Sequence, residues 1–192
     1  MAEDLLFQDQ IKEVVRTSYA GIDTGAGRPA AEQLYTDSEL AELPPGAVDW
    51  ALGVGNPVRH AALQPGETVL DVGSGGGIDS ILAARRVGAT GHVTGLDLLD
   101  EMCERARTHA AAAGVDSWTE FVRGEMEQIP LPDSSVDVVI SNGVINLSPR
   151  KSRVLAEIRR VLRPGGRMCV ADLTVNEELP PELQTSDAAW AG

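Results

Sequence analysis

The residue pattern best suited to chemistry is a glycine-rich turn that directly follows an apolar segment. It reads Val69-Leu70-Asp71-Val72-Gly73-Ser74-Gly75-Gly76-Gly77, so a predicted strand ends, glycines turn the chain, and a helix begins. Glycine lets a backbone approach a ligand closely and tolerates positive φ. Ligands of open α/β sheets bind beyond the carboxyl ends of the strands. The pattern therefore predicts a small-molecule site at this turn.

The spacing of the glycines argues against two kinds of phosphate-binding loop. A dinucleotide fingerprint that starts at Gly73 would need a third glycine where the chain has Ile78, which disfavours a nicotinamide-dependent dehydrogenase. No Lys-Ser or Lys-Thr pair follows the turn, so it is not a P-loop. The remaining pattern is D-x-G-x-G-x-G, for which a plain tight turn between strand and helix is the alternative interpretation.

Polar side chains also follow the next three predicted strands. Asp97 closes the second strand, where a carboxylate can accept hydrogen bonds from both ribose hydroxyls of a nucleoside. Gly124, Glu125 and Met126 follow the third strand, and Asn142 follows the fourth. A helix cap, a surface acid or a core methionine would explain each residue separately. One nucleoside-like ligand explains all of these strand ends together.

The elements that position these residues alternate between strand and helix from residue 65 onward. Strands are predicted over 68–72, 92–96, 121–122, 136–141 and 168–171, with helices over 79–87, over 100–113 and from Ser148 onward. Asp100 is predicted to cap the second of these helices, and residues 163–166 to end the third. This order predicts an open α/β sheet with right-handed crossovers.

Short elements are predicted before the sheet. They are an amphipathic helix over 5–19, a loop over 21–35, a short helix over 37–43, an ambiguous stretch over 47–51 and a helix over 57–63. We divide the chain into an N-terminal helical segment over 1–64 that covers the site, a core over 65–173 and an acidic C-terminal extension over 174–192. No structure is assigned to that extension.

The composition argues against several classes of partner. Twenty-nine acidic residues against sixteen basic ones give a net charge of −13, which repels phosphate backbones and anionic lipids. We expect no nucleic-acid partner and no membrane partner, since no apolar run approaches the ~18 residues of a membrane span. The N-terminus lacks the order of a secretory signal. Cys103 and Cys169 have no metal-ligand spacing, so we predict no metal site and a cytoplasmic location.

Taken together, the glycine motif and the strand ends resemble class I S-adenosylmethionine-dependent methyltransferases. The resemblance narrows to the arsenite methyltransferase family over residues 34–44, 53–57, 65–71, 140–149 and 162–167. It implies a Rossmann-like α/β sheet of five parallel strands in the order 3-2-1-4-5, with the last two strands of that class absent from this chain. It also implies S-adenosyl-L-methionine as cofactor, with S-adenosyl-L-homocysteine as product.

The resemblance also implies roles for individual residues. Glu125 would reach the adenine amino group, Met126 would pack on the ring, and Tyr19 would lie over the cofactor. The predicted cofactor-binding residues are Tyr19, Asp71, Gly73, Ser74, Gly75, Gly77, Asp97, Leu98, Gly124, Glu125, Met126 and Asn142.

Candidate catalytic residues are few, because transfer from an activated sulfonium depends mainly on proximity and orientation. A general base helps only where the acceptor must lose a proton. The candidates are Asn142, which would orient the acceptor, Asp172 at the end of strand five, and His60 upstream of the glycine turn. Their alternatives are a loop anchor, a strand-end cap and a surface histidine.

The chain departs from the arsenite methyltransferase pattern at its thiols. That family holds trivalent arsenic with thiolates, which suit such a soft ion. One family cysteine falls at Val54 and another at Gly143, and Cys103 and Cys169 match neither position. We therefore expect a small organic substrate with an O, N or C acceptor rather than arsenite.

Strand five is expected to be an apolar edge, which is a pairing hazard. We expect a second protein chain to cover it, in a hetero- or homo-oligomer. The alternative to an enzyme is a catalytically idle cofactor-binding subunit that completes or regulates a partner methyltransferase.

Overall fold

A five-stranded parallel sheet forms the centre of the molecule. The computed structural model describes residues 2–20, 22 and 25–174, and side chains over 10–19, 22 and 25–174. The strands are β1 (Thr68–Val72), β2 (His92–Asp97), β3 (Thr119–Arg123), β4 (Val136–Asn142) and β5 (Leu162–Ala171). Their order, β3-β2-β1-β4-β5, and their parallel pairing confirm the predicted sheet.

In the part of the chain that the structure describes, five α-helices precede the sheet and three connect its strands. The first group is α1 (Ala2–Ala20), α2 (Arg28–Leu34), α3 (Asp37–Ala41), α4 (Pro45–Asp49) and α5 (Pro57–His60). The crossover helices are α6 (Ile78–Val87), α7 (Asp100–Ala113) and α8 (Lys151–Val161). None of the helices in the described ranges has both the length and the hydropathy to span a membrane.

Apolar cores cover both faces of the sheet. Val69 and Ile140 pack in a core with buried side chains of α6 and α7, whereas Leu70 and Val139 pack on the opposite face with buried side chains of α8. Neighbouring residues of one strand thus serve different cores. This is why the central strands are mostly apolar on both faces, with Asp71 of β1 as a buried polar exception.

Several predicted element boundaries were wrong. The stretch over 21–35 contains α2, because Pro29 stands at a helix start, where a missing N–H costs nothing. Asp100 does not cap α7; the capping position is Leu99, without a side-chain hydrogen bond, and Asp100 pairs with Arg123 instead. Residues 163–166 lie within β5 rather than ending α8, and the β4–β5 register shifts opposite them.

β5 is one of the two edge strands of the sheet. Within the described residues no strand pairs with its outer edge, and the side chains of Met168 and Val170 are 45% and 36% exposed. The expectation that two further strands are absent concerns a part of the chain that includes 175–192, which lies outside the described residues.

Candidate functional site

A cleft opens beyond the carboxyl ends of β1 to β4, with α1 on its far side. It contains about 1060 Å³ of space between protein atoms, including space that is open to solvent. Of the predicted cofactor-binding residues, those lining it are Tyr19, Gly73, Ser74, Gly75, Asp97, Leu98, Gly124, Glu125, Met126 and Asn142. The strand ends therefore converge on one space, as their pattern predicted.

Two predicted cofactor-binding residues lie behind the cleft wall. Asp71 is buried and accepts a 2.6 Å hydrogen bond from the Ser80 hydroxyl. Gly77 precedes α6 and lies against Ala106, where an added Cβ would come within 3.0 Å. Both residues shape the glycine turn without lining the cleft.

Two glycines of the turn, Gly73 and Gly75, have the positive φ angles that the sequence suggested. Gly73 has φ +77°, and a Cβ there would overlap the side chain of Val144. Gly75 has φ +50° and open space where its Cβ would be, so its backbone borders the cleft. Only glycine adopts both conformations without strain.

Asp97 ties the glycine turn to the start of α7. Its two oxygens accept hydrogen bonds from the backbone N–H groups of Gly75, at 2.8 Å, and Leu99, at 2.9 Å. Burial raises the pKa of Asp97, and these backbone bonds oppose that rise. The residue therefore fixes the turn and presents a carboxylate to the cleft.

An ion pair joins α1 to the far end of the cleft. The Lys12 ammonium donates to Glu125 at 2.6 Å and lies 3.9 Å from Glu127. Glu127 is itself held by the Ser148 hydroxyl, which donates to it at 2.6 Å. Lys12, Val15 and Tyr19 form the face of α1 that lines the cleft. Sequence reasoning found Tyr19 but missed Lys12, whose partner lies more than a hundred residues away.

The Asn142 side chain is committed to other parts of the protein. Its Oδ1 accepts from the backbone N–H groups of Val54, at 2.8 Å, and Gly55, at 3.0 Å. Its Nδ2 donates to the Gly55 carbonyl at 2.8 Å and to the Asp79 carboxylate at 2.9 Å. Asn142 thus lines the cleft as an anchor for the 53–55 loop.

Asp79 is a cleft residue that the sequence analysis missed. It stands in the first turn of α6, is 4% exposed and accepts a 2.8 Å hydrogen bond from the Tyr35 hydroxyl. Burial raises the pKa of Asp79 to about 6, although hydrogen bonds from Asn142 and Tyr35 oppose the rise. Burial and the adjacent Asp79 raise the pKa of Tyr35 well above its usual range.

The other catalytic candidates lie farther from the cleft than Asn142. Asp172 accepts from the backbone N–H of Asn146 at 3.0 Å, and it is close enough to help raise the pKa of Tyr19, after burial and Asp97. His60 is exposed at the end of α5 and does not line the cleft. The structure therefore brings Asn142 to the site and Asp172 near its Tyr19 side, but not His60.

Val54 and Gly143 are neighbours at the cleft. A Cβ built on Gly143 would lie 3.4 Å from Val54 Cγ1, and Val54 is 38% exposed. Neither cysteine lines the cleft, since Cys103 is buried in α7 and Cys169 lies in β5. Among the described residues, no three His, Cys, Asp or Glu side chains are grouped to hold a metal ion.

The residues that line the cleft suit a nucleoside attached to a charged chain. The carboxylates of Asp97 and Glu125 line it together with the apolar side chains of Leu98, Met102 and Met126. The Ser74 hydroxyl on the same wall is buried and has no hydrogen-bond partner among the described residues. A buried hydroxyl without a partner is costly unless a ligand completes it.

Comparisons with known proteins agree with this geometry. The family model described as "Methyltransferase domain" matches residues 63–192. The arsenite methyltransferase of Halobacterium salinarum is 39% identical over 207 residues, which cover 96% of this chain and 52% of that protein. This chain therefore spans about half the length of that curated relative.

Two solved structures are also similar to this chain. The arsenic(III) S-adenosylmethionine methyltransferase CrArsM of Chlamydomonas reinhardtii superposes with a TM-score of 0.72 and 40% identity, over 80% of this chain and 55% of that one. A chain from the complex between the Haloferax volcanii Trm112 methyltransferase activator and a methyltransferase gives a TM-score of 0.51 and 33% identity, over 57% and 46%.

The anchoring role of Asn142 predicts a selective loss of stability. We expect Asn142→Ala to lower the free energy of unfolding by about 3 kcal/mol, because it leaves two loop N–H groups without an acceptor and removes one of the two donors to the buried Asp79 carboxylate. Asn146→Ala is the matched control, since Asn146 Oδ1 has no partner among the described residues, and should cost less than about 1 kcal/mol. Urea denaturation followed by circular dichroism measures both. Equal losses would contradict the anchoring role.

Proposed function

The chain belongs to the methyltransferase domain family, and on this premise we propose that its cleft binds S-adenosylmethionine and that it catalyses methyl transfer to a small molecule. The observation that carries the proposal is the convergence of Asp97, Glu125 and the glycine turn on one cleft. The C. reinhardtii relative is an S-adenosylmethionine methyltransferase, which supports the same cofactor here.

Each part of the cofactor has residues suited to hold it. Asp97 would accept from the ribose hydroxyls, and Glu125 from the adenine amino group beside Met126. The backbone of Gly73 to Gly75 and the free Ser74 hydroxyl would hold the amino-acid end. When bound, S-adenosylmethionine supplies a methyl group already activated on a sulfonium. The protein's task is then to orient the acceptor and exclude water, with α1 covering the cleft.

We propose a small organic acceptor with an O, N or C nucleophile. The wall next to Asn142 consists of Leu52, Gly53, Gly143 and Val144, with Val54 beside it, and it offers apolar contact but no thiolate. For an acceptor that must lose a proton, Asp172 remains our candidate base.

Arsenite is the second candidate, because the curated relative and the solved neighbour are both arsenic methyltransferases. The expectation that arsenite is not the substrate has no support from these comparisons. It rests on the absence of thiols from positions 54 and 143 alone.

We further propose that a second polypeptide chain adds a strand to the outer edge of β5. Met168 and Val170 are exposed there, and the exposed side chains of Leu155 and Leu173 lie on or beside α8 and β5. Apolar edge strands are rarely left open in native proteins. The Haloferax neighbour comes from a complex of a methyltransferase with an activator, a precedent for such a partner. When the chain is purified alone, the occupant would be a second copy.

The cofactor proposal predicts a position-specific loss of binding. We expect isothermal titration of S-adenosylmethionine to show at least about a hundredfold weaker binding for Asp97→Ala, because the variant removes a cleft carboxylate and frees the N–H groups of Gly75 and Leu99. Asp100→Ala removes the same charge from an exposed site nearby and should bind as the wild type does. An unaltered Asp97→Ala titration, or no binding by the wild type, would refute the proposal.

The acceptor proposal predicts that the wild type neither retains nor methylates arsenite. We expect Val54→Cys/Gly143→Cys to gain arsenite binding by at least about tenfold, because it places two thiolates side by side. Protein-bound arsenic after desalting measures this, and Cys103 and Cys169 give the same background in both proteins. Methylated arsenic formed by the wild type would make arsenite the substrate.

Binding of cofactor without transfer to any acceptor, unless a partner is added, would favour the idle-subunit alternative.

The partner proposal predicts a dimer in solution. Light scattering coupled to size-exclusion chromatography should give a molar mass twice that of one chain. For Val170→Lys the measured mass should fall to that of the monomer, because an edge lysine opposes strand pairing. Thr174→Lys, which adds the same charge at an exposed position beyond β5, is the control. A monomeric wild type at all concentrations would overturn the proposal.

A further inference from the structure

The wall of the cleft contains negative charge that no positive side chain neutralises. Asp79 lines the cleft, and Asp71 lies behind it; both are almost completely buried. Among the described residues, no lysine, arginine or histidine forms an ion pair with either carboxylate. Buried carboxylates without a cation are rare, because desolvation disfavours their charge.

Neutral or acidic groups surround Asp79 on every side. Tyr35, after α2, and Asn142, at the end of β4, each donate one hydrogen bond to it. Asp71 of β1 and Glu39 of α3 are the nearby acids, and Glu39 is already paired with Arg59. The two hydrogen bonds occupy different oxygens of Asp79, an arrangement that suits its ionised form.

The burial of Asp71 and Asp79 and their contacts decide which of the two carboxylates is ionised. Burial, and next the charge of Asp79, raise the pKa of Asp71 to about 8, whereas that of Asp79 is raised to about 6. Because each charge disfavours the other, the pair holds one negative charge more readily than two, and we assign that charge to Asp79, whose two oxygens each accept a hydrogen bond.

Methyl transfer changes the charge of the bound cofactor. The bond between sulfur and the methyl carbon breaks, a bond between methyl and acceptor forms, and sulfur keeps the electron pair. The sulfonium donor thus becomes a neutral thioether, and its positive charge leaves with the methylated acceptor or with the proton that the acceptor loses. A fixed negative charge in a low-dielectric wall attracts the donor more than the product.

We propose that Asp79 is a specificity-determining residue that makes the cleft prefer the positively charged methyl donor over the neutral product. This inference rests on the proposed function, since it concerns the same cleft and cofactor. A second observation on the same wall points to a ligand there, because the Ser74 hydroxyl is 6% exposed and lacks a partner among the described residues.

The test is the ratio of two affinities in two variants. Asp79→Asn removes the charge but keeps the shape, and the amide can turn so that its oxygen faces Asn142 and its NH₂ group donates to Tyr35. We expect isothermal titration to show S-adenosylmethionine binding weakened about tenfold more than S-adenosylhomocysteine binding. Tyr35→Phe removes one hydrogen bond to Asp79, which raises the pKa of that carboxyl further, so the comparison is made at pH 8, where Asp79 stays ionised and both affinities should change by the same factor.

The wild type provides a test that does not depend on a folded variant. Lowering the pH from 8 to 5 protonates Asp79, so the preference for donor over product should fall as the pH passes about 6. Equal weakening of both ligands by Asp79→Asn, or a ratio that does not change with pH, would overturn this inference and leave the proposed function intact. A wild type that binds neither ligand would refute the proposed function itself.

Discussion

The hydrogen bonds of the Asn142 amide are the interaction on which the rest of the site depends. One side chain at the end of β4 holds the 53–55 loop through two backbone N–H groups and meets Asp79 at the start of α6. Tyr35 enters the same network from the end of α2. The helices that precede the sheet are thus fixed to it by buried polar contacts, whose geometry is far more specific than that of apolar packing.

Two groups of acids in this strongly acidic chain have opposite pKa shifts. Hydrogen bonds from Arg167 and Arg160 lower the pKa values of Glu67 and Glu157, whose side chains serve the scaffold. At the cleft, burial without a cation raises the pKa values of Asp79 and Asp97. The scaffold acids are thus paired with arginines, whereas Asp79 and Asp97 at the cleft have hydrogen-bond donors but no cation among the described residues. Glu125 at the cleft differs from them, because Lys12 pairs with it. Acids whose pKa values are raised by burial cluster at functional sites in proteins, and this feature of the cleft does not depend on any motif.

Local patterns predicted the strands and their polar ends, because a strand buried on both faces is an apolar run that stops at its first turn. The same reasoning missed Lys12 and Asp79, whose roles depend on partners far away in the chain. For α2 a signal was present in Pro29, but the nearby glycines outweighed it. The length of β5 could not be predicted, since residues 163–166 form an irregular stretch, with Gly165 at φ +84°, and only the pairing of Leu162 and Arg167 with β4 places them within one strand.

The residues that resemble and those that depart from arsenite methyltransferases have different structural roles at the cleft. Three of the segments that carry it supply Tyr35, the 53–55 loop and Asn142, which the structure joins in one network. That network needs particular hydrogen-bonding side chains, so few sequences can build it. Val54 contributes only its backbone N–H to this network and Gly143 contributes no side chain, so the network does not depend on the side chain at position 54 or on a thiol at position 143. A network of this kind therefore constrains the position of an acceptor in the cleft much more than the chemical identity of that acceptor.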